Sequence, residues 1–208
     1  MKVKVKICGL RRVQDALLAV ELGAAAVGFI FYPKSPRYLS PEDARRLSSL
    51  LPPFVQRVGV FVNESPAKIR KIKDFVGLDL IQLHGDESPT LCELFYPRVI
   101  KAFRVKEKKD LLSIKRYRGK VGGILLDTFV PGMPGGTGKT FDWYLAREAQ
   151  KFGLPLILAG GLTPQNAREA VLSVSPYGID VNSGVEIAPG VKHPALLKEL
   201  FRNLSPFL

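Results

Sequence analysis

Eight short apolar runs recur along the chain, each followed by a stretch with helical spacing, and this alternation constrains the fold more than any other feature. The runs fall at residues 3–8, 26–31, 57–62, 78–84, 99–105, 123–128, 155–159 and 178–182. Most are unbroken Val/Ile/Leu-rich segments, as expected of parallel strands covered on both faces. An eightfold strand–helix repeat is the sequence form of a closed parallel barrel. The expected fold is therefore α/β, a single-domain (β/α)8 barrel of the TIM type. With 208 residues over eight repeats, about 26 each, it must be a compact version with short helices and short loops. No linker or low-complexity tract divides residues 1–208.

The intervening stretches carry helix signals of their own. Val13, Ala16, Leu17 and Val20, and later Ala167, Ala170, Val171 and Val174, predict inward helix faces. Ser40-Pro41, Ser65-Pro66, Ser88-Pro89 and Thr163-Pro164 mark four helix starts. The hydroxyl accepts from an unpaired first-turn N–H, and proline lacks a donor that would be orphaned there anyway. Gly23, Gly77, Gly119 and Gly153 mark helix ends.

Composition narrows the setting. The chain is 46% hydrophobic and 24% charged, that of an ordinary globular protein. No apolar run approaches the ~20 residues of a membrane span, and the start alternates charged with β-branched residues, unlike a signal peptide. Cys8 and Cys92 lack metal-type spacing and fit a reducing compartment, so a cytoplasmic protein is expected. A net charge of +12 points to nucleic acid, a membrane surface or small anionic substrates. The densest basic stretch, 101–120, sets nine Lys/Arg against Glu107 and Asp110 and interleaves them with Leu111, Leu112 and Ile114. It reads as a solvated helix face and lacks the aromatic residues of a base-stacking surface. Neither a nucleic-acid nor a membrane partner is expected, and the sequence leaves monomer and homodimer both open.

In such a barrel, function gathers at the C-terminal strand ends. Cys8 ends the first run, His84 the fourth and Asp127 the sixth. Gly160-Gly161 and Ser183-Gly184 follow the seventh and eighth, where barrels commonly hold a phosphate against backbone N–H groups. Asp180 is a rival carboxylate, and its parity along the strand decides whether it points inward. His84 is either a proton carrier or a histidine satisfied by a loop carbonyl; His193 opens a helix and reads as structural. Cys92 reads as a buried, inert thiol. No cluster of His, Cys and carboxylates has metal-ligand spacing and no GxGxxG loop is present, so chemistry without metal or cofactor is expected. The tempting GGTGKT at 135–140 fails as a P-loop, because the position five before Gly138 is Met133 and not glycine. The irregular stretch 129–141 is long for this chain and is expected to be a functional lid.

At these residues a resemblance becomes specific. KICGL at 6–10, VGFIFYPKSPRY at 27–38, VGVFVN at 58–63, QLHGDE at 82–87, LLDT with GGTGKTFDW within 125–143, LAGGLTPQN at 158–166 and DVNSGVE at 180–186 resemble the phosphoribosylanthranilate isomerase family, in order along the whole chain. The resemblance implies a cofactor-free Amadori rearrangement of a small phosphosugar–anthranilate substrate in tryptophan biosynthesis. It also implies Cys8 as general base, Asp127 as general acid, Arg37 as the contact to the anthranilate carboxylate, and the two glycine-bearing loops as the phosphate grip. Other sugar-phosphate chemistry on the same barrel stays open on the residues alone. An epimerase would want more metal ligands than two histidines allow, and a lyase would want a strand-end lysine, with Lys101 the candidate. A Cys8–His84 hydrolase would need thiol and imidazole in hydrogen-bond contact.

Overall fold

The eight runs become eight parallel strands in the computed structural model, which describes residues 2–127 and 143–208. They are β1 (Lys4–Ile7), β2 (Ala26–Ile30), β3 (Gln56–Phe61), β4 (Leu80–Leu83), β5 (Val99–Arg104), β6 (Gly123–Asp127), β7 (Leu156–Ala159) and β8 (Gly178–Val181). Neighbours in sequence are neighbours in space, and β8 returns to β1, so the barrel closes. At the closure Lys6 lies opposite Asp180 and Ile7 opposite Val181.

Helices α1 (Val13–Glu21), α2 (Pro41–Ser48), α3 (Pro66–Val76), α4 (Pro89–Glu93), α5 (Trp143–Gln150), α6 (Ala167–Val174) and α7 (Pro194–Leu204) cover the outside. Beyond β8 the chain adds an antiparallel ribbon, β9 (Glu186–Ala188) with β10 (Val191–Lys192). The main core fills the layer between strands and helices, with Ile7, Phe29, Ile81, Leu126, Leu158 and Ile179 fully buried. Inside the barrel the apolar content is thin, a small cluster of Ile100, Ala102, Leu125 and Ala159. Because successive strand residues face opposite sides, the same inward parity brings Lys6, Gln82 and Asp180 into this interior, all buried.

The serine caps form as expected. Ser40, Ser65 and Ser88 accept from the backbone N–H of Asp43, Lys68 and Leu91 at 3.1, 3.3 and 3.2 Å. Gly77 closes α3 at φ 75°, in the left-handed region that favours glycine. The apolar face of α6, Ala167, Ala170, Val171 and Val174, is buried.

Three local expectations are corrected. Thr163-Pro164 does not begin a helix: the Asn166 side chain accepts from Thr163 N at 2.8 Å and donates to Gly161 O at 2.9 Å. That bracing turn occupies the first turn, and α6 starts at Ala167. In α1 the inward face is Asp15, Ala16 and Ala19, while Val13 and Leu17 are exposed. Asp15 takes the inner position because its carboxylate accepts from Lys192 N at 3.0 Å, tying α1 to β10. The helix expected in the basic stretch is a 3₁₀ helix, Lys108–Tyr117. Its inward residues Leu111 and Ile114 recur every third position, the period of that tighter helix. The expected lid at 129–141 and the GGTGKTFDW stretch before Trp143 lie outside the described residues.

These assignments separate by stability. Ser65→Ala should cost about 1 kcal/mol in urea unfolding through loss of a cap. Thr163→Ala should stay within about 0.5 kcal/mol, the range of surface changes away from such features. A larger loss for Thr163 than for Ser65 would contradict the bracing role given to Asn166.

Candidate active site

Cys8 follows the last residue of β1, with its N–H donating to Val181 O at 2.9 Å across the β1–β8 seam. Its thiol is buried at 4% exposure. Space for it exists because β2 carries glycine alongside: a Cβ on Gly28 would sit 2.7 Å from Sγ. Two residues earlier on the same face, Lys6 Nζ pairs with Asp180 Oδ2 at 2.7 Å, and both side chains are buried. Burial pushes the Cys8 thiol up, the Asp180 charge adds to this, and the Lys6 and Lys192 ammonium groups pull it back only in part. Cys92, by contrast, is fully buried in α4, and burial pushes its thiol up to about 11. It is an inert core residue.

Asp127 is the last residue of β6, three strands from β1 by the shorter way round the barrel. Its Oδ2 lies 3.0 Å from His84 Nε2, and His84 Nδ1 lies 3.0 Å from Gln82 Nε2. The amide nitrogen can only donate, so Nδ1 accepts and Nε2 carries the proton that His84 donates to Asp127. Burial alone would raise the carboxyl, but the His84 hydrogen bond and the charges of His84, Arg104 and Lys6 outweigh it and hold Asp127 below the usual aspartate value. With both ring nitrogens engaged by Gln82 and Asp127, His84 is neither a Cys8 activator nor a bystander bonded to a loop carbonyl.

Arg37, in the loop after β2, reaches across to the ribbon beyond β8. Its Nε donates to Glu186 Oε1 at 3.1 Å and its Nη2 to Oε2 at 2.7 Å, a bidentate contact that fixes the guanidinium plane. Lys192 is fully buried and donates to Glu186 Oε1 at 2.9 Å and to Asn182 O and Oδ1, each at 3.0 Å. Desolvation lowers the Lys192 ammonium from its ordinary value, against the pull of Glu186. Gly9, at φ 69°, lets the Cys8 turn pack here, since a Cβ would strike Asn182 Oδ1 and Arg37 Cδ. Thiol and guanidinium are thus neighbours through one glycine.

The glycine loops also come together. Gly160 and Gly161 follow β7 at φ 81° and 65°, and a Cβ on Gly184, beyond β8, would collide with the Leu162 carbonyl. Ser183 and Gly184 therefore lie directly against the β7 loop, with the N-terminus of α6 following in the same segment. Asp180 does point inward, where its Oδ2 accepts from Lys6 Nζ at 2.7 Å and it serves as that ammonium's counter-ion. Lys101 has the opposite parity to Ile100 and Ala102. It pairs with Glu87 at 3.2 Å and donates to Gly85 O at 2.8 Å, which removes it as a mouth-facing acid. Among the described residues no group of three or more His, Cys, Asp or Glu side chains is placed to hold a metal ion.

Sequence reasoning missed Lys6, Gln82, Glu186 and Lys192. The first two carried a usable signal, since each lies two residues before a suspect strand end and so shares its face. Glu186 and Lys192 carried none, because a ribbon outside the eightfold repeat delivers them.

Fold and site together define a (βα)8-barrel enzyme with a thiol and a carboxyl at its C-terminal mouth and two glycine-bearing loops packed together beyond β7 and β8. A profile of N-(5'phosphoribosyl)anthranilate (PRA) isomerase matches residues 5–203. The N-(5'-phosphoribosyl)anthranilate isomerase of Trichlorobacter lovleyi is 52% identical, over 99% of this chain and 100% of that protein. The phosphoribosyl anthranilate isomerase of Thermotoga maritima is 50% identical and superposes with a TM-score of 0.92, covering 98% of this chain and 99% of that one. Another of its structures, at 45% identity, 98% coverage of both chains and TM-score 0.86, is of monomers of the dimeric protein. A phosphoribosyl anthranilate isomerase in complex with reduced 1-(o-carboxyphenylamino)-1-deoxyribulose 5-phosphate is 47% identical with a TM-score of 0.88, covering 98% and 99%. The chain belongs to the phosphoribosylanthranilate isomerase family, isomerases of tryptophan biosynthesis.

The Lys6–Asp180 pair makes a testable demand on stability. Asp180→Asn leaves a buried ammonium without its counter-charge and should cost about 3–5 kcal/mol, whereas removing both charges in Lys6→Met/Asp180→Leu should cost much less. Chemical denaturation of the single and double variants reads the difference. Equal losses would show that the pair does not act as a unit.

Proposed function

We propose that this chain converts N-(5-phosphoribosyl)anthranilate into 1-(2-carboxyphenylamino)-1-deoxyribulose 5-phosphate, with Asp127 as general acid and Cys8 as general base. The observation that carries this reading is the placement of one thiol and one carboxyl at opposed strand ends of the same mouth, each beside its own charged network. Asp127 gives a proton to the furanose ring oxygen. The C1′–O bond breaks, its electron pair stays on that oxygen, and the anthranilate nitrogen lone pair forms the iminium. Cys8, as thiolate, then removes the C2′ proton, and those electrons neutralise the iminium to give the enolamine, which tautomerises to the ketone. Each positioned transfer is worth roughly 10²–10⁴-fold.

Arg37 is suited to the anthranilate carboxylate because Glu186 holds it by Nε and Nη2, and Nη1 has no hydrogen-bond partner among the described residues. Gly160, Gly161, Ser183 and Gly184 are suited to the phosphate, since close backbone approach and a following helix N-terminus favour an anion. The unliganded site carries the opposite protonation to the one needed, with the thiol raised and the carboxyl lowered. The cationic iminium helps to reverse the first of these by favouring thiolate at the moment it is required.

The direct test is a fluorescence assay for consumption of phosphoribosylanthranilate without added metal or nucleotide. Cys8→Ser and Asp127→Asn should each lower turnover by at least about 10³-fold with product affinity largely intact. Arg37→Ala should act chiefly on KM. Activity retained in both Cys8→Ser and Asp127→Asn would end the assignment.

The same reading takes residues 1–208 as one domain of a cytoplasmic enzyme. Both cysteines are free, and among the described residues no helix is long and apolar enough to cross a membrane. A homodimer is favoured by one observation. Phe54, in the loop between α2 and β3, is 96% exposed and borders a cavity of 530 Å3 at the N-terminal end of the barrel, lined by Ala26, Val58, Leu80, Ile100 and Ile157. A two-fold arrangement that seats each Phe54 in the partner's cavity would bury both rings. Phe54→Asp should then convert a dimer to a monomer in sedimentation at micromolar concentration without loss of turnover. A wild-type monomer at that concentration would rule the dimer out.

A further inference from the structure

The acid named above poses a problem, because a carboxyl held below its usual value is ionised at neutral pH and has no proton to give. The answer lies in what stands behind it. Gln82 is buried in the barrel, at 1% exposure, and binds His84 Nδ1 through its nitrogen, while its Oε1 has no partner among the described residues. A buried carbonyl oxygen without a donor is costly, and here it also means that no second bond holds the amide in one orientation. A half-turn about the terminal Cγ–Cδ bond exchanges two nearly isosteric ends and presents Oε1 to Nδ1. In that orientation Nδ1 carries a proton and donates it to Oε1, and Nε2–H still faces Asp127 at the same 3.0 Å separation.

We propose that His84 is the positioning and proton-holding partner of Asp127, and that Gln82 admits the additional proton by turning its amide. This rests on Asp127 being the general acid. The loaded pair is imidazolium with carboxylate, and one proton shift converts it to imidazole with carboxylic acid. As the reaction begins, the Nε2–H bond breaks and an Oδ2–H bond forms; the carboxyl then gives this proton to the ring oxygen as the C1′–O bond opens. His84 is left neutral with its proton on Nδ1, bonded to Gln82 Oε1, and Asp127 is left as carboxylate. His84 is partly exposed at the mouth and reloads from solvent.

The charged groups around the pair favour a shared proton over two separate ones. Arg104 from β5 and Lys6 from β1 act on the Asp127 carboxylate. Lys101 from β5 donates to Gly85 O beside His84 and is neutralised by Glu87, and Asp86 lies in the same loop with its N–H donating to Asn63 Oδ1. With Asp127 ionised next to it and Gln82 able to accept from Nδ1, the imidazole is the site where an added proton costs least.

The consequence for rate against pH is specific. The working form needs the pair loaded and Cys8 unloaded. Between the two titrations the fraction in that form is flat, and its height is set by the separation of the two titrations. In the wild type, the single-turnover rate should fall on the acid side where the Gln82–His84–Asp127 group takes up its added proton. His84→Gln keeps a donor for Asp127 but cannot carry the proton. Its acid limb should move to lower pH, and each unit of that movement lowers the flat region about tenfold. A limb displaced by about two units would lower the rate near neutral pH about 100-fold, and the two profiles should converge towards acid. Gln82→Glu favours imidazolium and should move the limb the other way.

A uniform loss in His84→Gln with an unmoved acid limb would make His84 structural only and overturn the proposal. An unmoved limb in Gln82→Glu would overturn the part given to Gln82. Circular dichroism and product binding check that each variant is folded. Asp127→Asn run beside them separates the two claims: if it stays active the acid assignment itself falls, and if it is inactive while His84→Gln keeps the wild-type limb, only the present inference falls.

Discussion

A parallel barrel must bring its last strand back to its first, and here that closure sets Lys6 against Asp180 in a buried ion pair directly beneath Cys8. Much of the mouth depends on this contact. Two buried charges tolerate one another inside a barrel only as a pair, so the seam cannot slip by one residue without stranding an ammonium in an apolar layer. The same register puts Cys8 N against Val181 O and carries Asn182 up to the Lys192 ammonium. The thiol therefore sits on a fixed electrostatic base and not on a mobile loop.

The charges around the thiol partly offset the burial that raises Cys8. Lys6, Lys192 and Arg37 bring three positive charges, and Asp180 and Glu186 bring two negative ones. Both anions are engaged by cations, which leaves one positive charge in excess near Cys8. A thiolate neutralises that excess, and so does an incoming carboxylate at Arg37. The chain's net charge of +12 is in small part explained by this mouth. Most of the remaining cations lie on the outer surface, as in the exposed Lys108 and Lys109, paired with Glu148 and Glu107.

What the sequence makes legible follows the repeat. Cys8, His84 and Asp127 stand out because an eightfold pattern says where strands end, and an ionisable residue there has nowhere to face but the mouth. Lys6 and Gln82 are legible only one step further, through parity. Glu186 and Lys192 are not legible at all, since they reach the site on a ribbon that the repeat does not contain. The misread face of α1 has the same origin. Val13 and Leu17 obey helical spacing, yet Asp15 turns inward because β10, invisible to periodicity, offers it a backbone N–H. Hydrophobic pattern reports burial in the common layer between strands and helices, whereas polar residues take buried positions when a particular partner is waiting there.

The two halves of the proposed reaction are built on opposite principles. On that reading Cys8, a thiol held protonated among fixed charges, becomes the base when ring opening puts a cation beside it. Asp127, held as a carboxylate, takes its proton from His84. Burial deep enough to keep Asp127 protonated would strand its carboxylate once the proton had left, whereas on the proposed route His84 donates to that carboxylate before the transfer and again once it has reloaded from solvent. On that reading, sharing the proton through Gln82, His84 and Asp127 supplies the acid from a carboxyl that rests ionised, with an imidazole and an amide behind this carboxyl and an ion pair beneath the thiol.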